Sequence, residues 1–333
     1  MNIAFFEVQP WKQEFLTKQL VGHNLIFFEE ALSMENVGKV AQCEALSVFI
    51  YSKVSKEILE KLPSLKFVAT QSTGFDHIDV EACKSRGISV SNVPHYGENT
   101  VAEHTFALIL ALSRNVHKSY VRTLQGNFSI DGLMGFDLQG KTLGVIGTGH
   151  IGLHVIRIAK GFGMHVIAYD VKEDPFLAEV LRFQYAPIEE VMASADIISL
   201  HLPYNESTHH IVDEKMLAKV KKGALIINTS RGGLIDGNAL LGALDAKQVG
   251  GAALDVLEGE ELILDEKQLL YYKQENQKLE ELAKNHILLK RDNVVFTPHI
   301  AFYSQEALER ILSTTAENIS AFANGENNNS VLR

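Results

Sequence analysis

The sequence predicts an α/β protein made of two doubly wound parallel-sheet domains. Three observations carry this. Short apolar runs recur along the chain, each near-continuous, as parallel strands covered on both faces require. Segments of helical length separate them. The chain has 333 residues, 46% of them hydrophobic, which is enough for two domains with sizeable cores.

The elements follow in order. Before residue 95 the strand candidates are "NIAFF", "NLIFF", "LSVFIY", "LKFVATQ" and "ISVSN". The stretch "ENTVAEHTFALILALSRNVHKSY" then reads as one long helix from about Asn99, apolar on most sides, which suits burial between domains or subunits. After residue 140 come the strand candidates "KTLGVIG", "MHVIAYD", "DIISLHLP", "ALIINTS", "GAALDV" and "NVVFTP". The charged stretch "DEKQLLYYKQENQKLEELAKNHILLKRDN" reads as a helical surface insertion. In the tail, Ser304 caps a last helix, Leu308, Ile311, Leu312, Ile319 and Phe322 share one face, and Gly325 ends it.

The formal net charge of −10 argues against nucleic acid or an anionic membrane as a general partner. Cys43 and Cys83 match no metal-ligand spacing and read as reduced, buried thiols. The start of the chain lacks a signal-peptide pattern, and no run reaches the roughly 18 apolar residues of a membrane helix. A cytoplasmic protein is expected.

The stretch "VIGTGHIG" places glycines at G-x-G-x-x-G. Alone the spacing is weak evidence. Here it follows a strand and opens the helix "IGLHVIRIAKGFG", and the next strand ends in Asp170, 18 residues after Gly152. That is a complete dinucleotide-binding unit of the Rossmann type. Gly147 permits the turn, Gly149 lets backbone approach a pyrophosphate, and Gly152 lets the helix pack closely. Free amides at the helix start face the phosphates. Asp170 would accept from the ribose hydroxyls and repel a 2′-phosphate, so NAD is expected rather than NADP.

Three further stretches put polar residues at predicted strand ends, where open α/β sheets place ligands. They are "INTSRGGLID" with Arg231, "GAALDVLEGEE" with Asp255 and Glu260, and "VVFTPHIAF" with His299. An arginine for a carboxylate, a histidine for a proton and a carboxylate to orient it suit reduction of a keto acid. Each residue taken alone fits a structural role as well. The pair "THH" at 208–210 suggests metal ligands, but neighbours on a regular element point apart and no third ligand is evident, so no metal site is expected. His104, in the apolar helix, is expected to be hydrogen-bonded and buried.

The order "GTGHIG", "TSRGGLID", "ALDVLEGE" and "TPHIAF" resembles the D-isomer-specific 2-hydroxyacid dehydrogenase family across nearly the whole chain. The resemblance implies a split architecture. An NAD-binding Rossmann domain, residues 99–298, is inserted into a flavodoxin-like substrate domain made of residues 1–98 and 299–333. It implies that Arg231 binds substrate, that His299 is the acid/base, and that Glu260 pairs with it. It implies cofactor contacts at the three glycines, His150, Ile151, Asp170, Leu202, Pro203, Thr208, Thr229, Ser230, Arg231, Asp255 and His299, and a homodimer. Within the family the chain is most similar to the D-lactate dehydrogenase subgroup. "NVPHYGENTVAEH" resembles its stretch with a substrate-side tyrosine, here Tyr96, and "TPHIAFYS" its catalytic segment, with Phe302 lining the pocket. "QSTGFDHID" departs from the subgroup at Ser72 and Thr73, although the Thr73 and Gly74 amides suit a carboxylate. The implied reaction is reversible hydride transfer between NADH and pyruvate or a close 2-keto acid. A glyoxylate or hydroxypyruvate reductase is the enzymatic alternative, and an NAD-sensing corepressor the alternative of another class.

Overall fold

The computed structural model describes residues 1–260 and 284–332. Contacts divide the chain into two compact units, Met1–Tyr96 with Ser304–Arg333, and Gly97–Tyr303. The divisions fall at 96/97 and 303/304, where 98/99 and 298/299 are expected from the sequence. His299 therefore lies in the central unit. The reason is local: the amides of His299, Ile300 and Ala301 all donate to Asp255, at 2.8, 3.0 and 2.8 Å, which ties that turn to the central sheet.

The unit of both chain ends holds a parallel sheet ordered β2-β1-β3-β4-β5. Its strands are β1 (Asn2–Phe5), β2 (Asn24–Phe27), β3 (Ala45–Val48), β4 (Phe67–Thr70) and β5 (Ser89–Ser91). The central strands are buried on both faces, as their unbroken apolar runs require. Ala4, Leu46, Val68 and Val90 face one side. Ile3, Phe5, Ala45, Phe67 and Ala69 face the other, against Leu312, Ala316 and Ile319 of the C-terminal helix Gln305–Ala323. Ser304 caps that helix by accepting from the Ala307 amide at 3.2 Å, and Gly325 follows it at φ 83°. Cys43 and Cys83 are free thiols in this core, and burial pushes the Cys83 thiol up to about 11.

The central unit holds a seven-stranded parallel sheet, ordered β12-β11-β10-β9-β6-β7-β8. Its strands are β6 (Thr142–Ile146), β7 (His165–Tyr169), β8 (Gln184–Tyr185), β9 (Ile197–Leu200), β10 (Ala224–Asn228), β11 (Val249–Leu254) and β12 (Val294–Phe296). Strand β8, with two residues, is too short to leave an apolar run in the sequence. The long helix expected from Asn99 is broken into Glu98–Ser113 and Val116–Leu124. Asn115 takes a left-handed φ of 52° between them. The segment around residue 135 crosses the first helix end: the Phe136 amide takes the Ser113 carbonyl at 2.9 Å, and only glycine fits at 135. The Asn115 side chain donates to Leu133 and Met134 carbonyls. Of the charged insertion, residues 261–283 lie outside the described residues, and 284–289 are helical. No described helix is long and apolar enough to cross a membrane.

Candidate active site

The central sheet reverses its winding between β6 and β9, and open sheets take their ligands at such a point. The turn after β6 carries Gly147 at φ 101°, where a Cβ would lie 2.5 Å from the His201 carbonyl oxygen, just past β9. A Cβ on Gly152 would meet the Gly147 carbonyl at 2.0 Å, so the helix His150–Gly161 starts hard against the turn. Gly149 differs. Among the described residues, apart from its own chain neighbours, no atom lies within 4 Å of where its side chain would stand, and as N-cap it offers no capping group. The space beside Gly149 is open, as the close approach of a bound pyrophosphate would need. The first amides of that helix, with His150 and Ile151 at its start, fit a dinucleotide pyrophosphate.

Asp170 follows β7. Its Oδ2 accepts from the Thr148 amide at 2.7 Å and the Thr148 hydroxyl at 3.2 Å, and its Oδ1 accepts from the Lys172 amide at 3.0 Å. The carboxylate is thus fixed beside the glycine turn with acceptor capacity left on Oδ1. Thr148 lies inside the glycine motif and was not singled out from the sequence. Leu202 and Pro203 continue from His201 past β9. Thr208 spends its hydroxyl proton on the Pro203 carbonyl at 2.7 Å and accepts from the Asn205 amide at 2.9 Å, closing that loop.

Past β10, Thr229 is buried and shares a hydroxyl contact of 3.0 Å with Thr105. The Ser230 hydroxyl donates to the Leu200 carbonyl at 2.8 Å. The Asn228 side chain holds the Arg231 carbonyl at 2.9 Å, and Arg231 Nη1 donates to the Ser230 carbonyl at 2.8 Å. Gly232 then crosses the backbone of Leu257 and Glu258 so closely that a Cβ would stand 2.1 Å from Leu257. That crossing brings the Arg231 turn beside the segment leading to Glu260.

His299 and Glu260, 39 residues apart, meet: His299 Nδ1 is 2.7 Å from Glu260 Oε1. Glu260 Oε2 accepts from the Leu257 amide at 3.0 Å, which fixes the carboxylate. With Nδ1 turned to a carboxylate acceptor, Nε2 is the nitrogen left for a ligand. The two side chains are 19% and 22% exposed, sheltered yet open to reaction. His299 has a left-handed φ of 54°, rare for a non-glycine residue. Asp255 holds this turn. Its fully buried carboxylate accepts from Thr297 Oγ1 at 2.5 Å and from the Ile300 and Ala301 amides. Asp255, expected at the cofactor, therefore turns both oxygens toward the 297–301 turn. His104 Nε2 stands 3.0 Å from Thr297 Oγ1 and 3.5 Å from Asp255 Oδ1, so it is bonded as expected, but its side chain is 20% exposed and only partly buried. Phe302 packs edge-on to His299, with centroids 6.4 Å apart.

The remaining candidates lie in the other unit. The Thr73 hydroxyl donates to the Val93 carbonyl at 2.7 Å, and the Gly74 carbonyl accepts from Ser72 at 2.6 Å. Among the described residues the Thr73 and Gly74 amides donate no hydrogen bond. The Tyr96 carbonyl accepts from Arg310 Nε at 2.6 Å. Back in the central unit, His209 and His210 do not point apart. His210 has φ 50°, and the rings stack with centroids 3.8 Å apart, Glu258 beside them. Neighbouring side chains point apart on a regular element, and the left-handed His210 interrupts one here.

Residues 106–301 match the family model described as D-isomer specific 2-hydroxyacid dehydrogenase, NAD binding domain. The 2-hydroxyacid dehydrogenase homolog 1 of Schizosaccharomyces pombe is 40% identical, over 100% of this chain and 99% of that protein. The glyoxylate reductase of Thermococcus litoralis is 38% identical, over 86% and 83%. The crystal structure of a D-lactate dehydrogenase from Aquifex aeolicus, complexed with NAD and lactic acid, superposes with a TM-score of 0.90 at 37% identity, covering 100% of this chain and 99% of that one. The glycine turn, the ordered strand ends and these matches agree: the chain belongs to the D-isomer-specific 2-hydroxyacid dehydrogenases, enzymes that use NAD.

Proposed function

We propose that the chain is an NAD-dependent D-lactate dehydrogenase that interconverts pyruvate, or a close 2-keto acid, and the D-2-hydroxy acid in the cytoplasm. The observation that carries this is the 2.7 Å contact of His299 and Glu260, in the same compact unit as the Arg231 turn and the glycine loop. The whole-length likeness to a D-lactate dehydrogenase supports the choice of substrate. Bound NADH supplies the hydride. Arg231 binds the substrate carboxylate through its planar fork. The Thr73 and Gly74 amides add donors, and Tyr96 and Phe302 shape the substrate's surroundings. His299 donates the Nε2 proton to the keto oxygen on reduction and takes it back on oxidation. Glu260 keeps Nδ1 protonated and offsets the ring's charge while Nε2 holds its proton.

The rival is a glyoxylate or hydroxypyruvate reductase, favoured by the likeness to a glyoxylate reductase. NADH oxidation with pyruvate, phenylpyruvate, glyoxylate and hydroxypyruvate, followed by chiral analysis of the product, separates the two. Highest kcat/KM on pyruvate with a D product supports the proposal, and preference for glyoxylate overturns it. NADH binding with no turnover of any of these acids would favour the corepressor reading instead.

We also infer a homodimer. The helix Val116–Leu124 has no buried residue, and Tyr120, Leu124, Phe128, Ile130 and Met134 are 64%, 70%, 79%, 83% and 93% exposed. Apolar side chains at that density suit a second copy of the chain. Sedimentation equilibrium is expected to give twice the chain mass, and Leu124→Glu to shift it toward one.

A further inference from the structure

We propose that His209, His210 and Glu258 form a binding site for one divalent transition-metal ion of the kind that prefers imidazole, such as Zn²⁺, Co²⁺ or Ni²⁺. One ligand atom from each lies within 4.8 Å of the others. His210 Nε2 is 3.0 and 3.2 Å from the two Glu258 oxygens. Two ligands each 2.0–2.2 Å from one ion stand roughly 3.0–3.5 Å apart, so this spacing suits an ion in place of the shared proton.

The local backbone builds the cluster. The left-handed φ of His210 stacks the two rings, with 25° between the planes, and the exposed His209 ring must turn out of that stack for both nitrogens to face one ion. The His210 amide donates to the Gly233 carbonyl at 2.8 Å, which anchors it. His209 Nδ1 is 3.1 Å from the Tyr204 hydroxyl, leaving Nε2 for an ion. A polar partner on the far nitrogen is how metal-binding histidines are oriented. The Tyr204 ring packs against Gly233, in the space that a side chain there would need. Asn285 Nδ2 donates to the Glu258 carbonyl at 2.9 Å, fixing the third ligand's backbone. His210 and Glu258 are 30% and 27% exposed and His209 is exposed, so an ion has an entry path and room for water.

One group opposes the ion. Lys284 Nζ is 3.7 Å from Glu258 Oε2. It takes part of the carboxylate charge and leaves Oε1 as the ligand, which makes the site weaker than a closed structural zinc centre. Placement gives the site its interest. Glu258 is two residues from Glu260, and His210 is bonded to the turn that follows Arg231. An ion here would tie the 203–210 loop to both segments that carry the proposed catalytic groups, without touching those groups.

The test is titration of chelator-treated, full-length protein with Co²⁺, read by its visible d–d bands, and displacement by Zn²⁺. The wild type is expected to bind one Co²⁺ per chain, with bands typical of nitrogen and oxygen ligands. His209→Gln, an exposed substitution, and Glu258→Gln are each expected to weaken binding about tenfold or more, and Tyr204→Phe by a smaller factor. Zn²⁺ should raise the melting temperature of the wild type and not that of His209→Gln. Absence of a one-per-chain Co²⁺ spectrum overturns the proposal. So does a titration that His209→Gln leaves unchanged, since circular dichroism will show whether that variant is folded.

Discussion

Each sheet has a point where its winding reverses, and the two points are used in opposite ways. In the central unit the reversal lies between β6 and β9. Glycines line it, and beyond its own chain neighbours Gly149 faces no described atom within 4 Å. In the other unit the reversal lies between β1 and β3. There Glu7, at a left-handed φ of 61°, fills the place with its own carboxylate. It accepts from the Phe49 amide at 3.2 Å, the Tyr51 amide at 3.1 Å and the Ser52 hydroxyl. One topology thus yields an anion site where glycine leaves amides bare, and a plugged edge where a built-in anion satisfies them. Topology marks where a ligand is able to bind, and the side chain at the reversal fills that place or leaves it open.

The most severe test removes the proposed acid/base of the central unit. His299→Ala is expected to lower kcat by about 10²–10⁴ while leaving NADH binding intact. Stopped-flow and equilibrium NADH titrations check this, and a loss of binding in place of turnover would move His299 out of the acid/base role. Next, Gly149→Val should weaken NADH by roughly 10–100-fold, the worth of one lost charge-assisted bond, with no fall in melting temperature. Glu7→Gln, at the plugged edge, should leave NADH affinity unchanged. Equal effects of the two on NADH would erase the contrast. Asp170→Ala is expected to raise the NADPH-to-NADH ratio of kcat/KM by about tenfold, because it removes ribose acceptors and a repelling charge together. An unchanged ratio would remove Asp170 from the cofactor contacts.

A further effect is on stability. Burial pushes the His201 imidazole down to about 3. Its Nδ1 is enclosed without a hydrogen-bond partner among the described residues, although the residue keeps some exposed surface. The unfolded chain then binds the proton that the fold refuses, so this contribution is full above pH of about 6.5 and is lost as pH falls toward 3. The slope is up to about 1.4 kcal/mol per pH unit. Glu7 runs the other way. Burial holds its carboxyl above the usual range, so its contribution is full in acid and is lost as pH rises through its folded value. Urea midpoints between pH 4 and 7 are expected to fall more gently in acid for His201→Gln than for the wild type, and parallel curves would refute the assignment.

The sequence made the framework legible wherever the signal was local. The glycine turn, Asp170 and Ser304 each act within one turn or one βαβ unit, and spacing reveals them. The meeting of Glu260 and His299 is long-range and came only through the family likeness. The break at Asn115 was not legible, because its cause is a distant segment that captures the Ser113 carbonyl. Nor was the Asp255 turn: nothing local in the sequence shows Thr297, Ile300 and Ala301 converging on that carboxylate. The histidine pair misled because the spacing rule holds for regular elements alone.

The crossing at Gly232 sets the Arg231 turn against the Leu257–Glu258 backbone, within the same compact body as Glu260, His299 and the glycine turn. Thr73, Gly74 and Tyr96 belong to the other body. Substitutions among residues 71–77 therefore fall outside the body that holds the His299–Glu260 contact. On the proposed roles, the residues that would choose the acid and the pair that would move the proton lie in separate bodies, and Gly232 tolerates no side chain in the second of them.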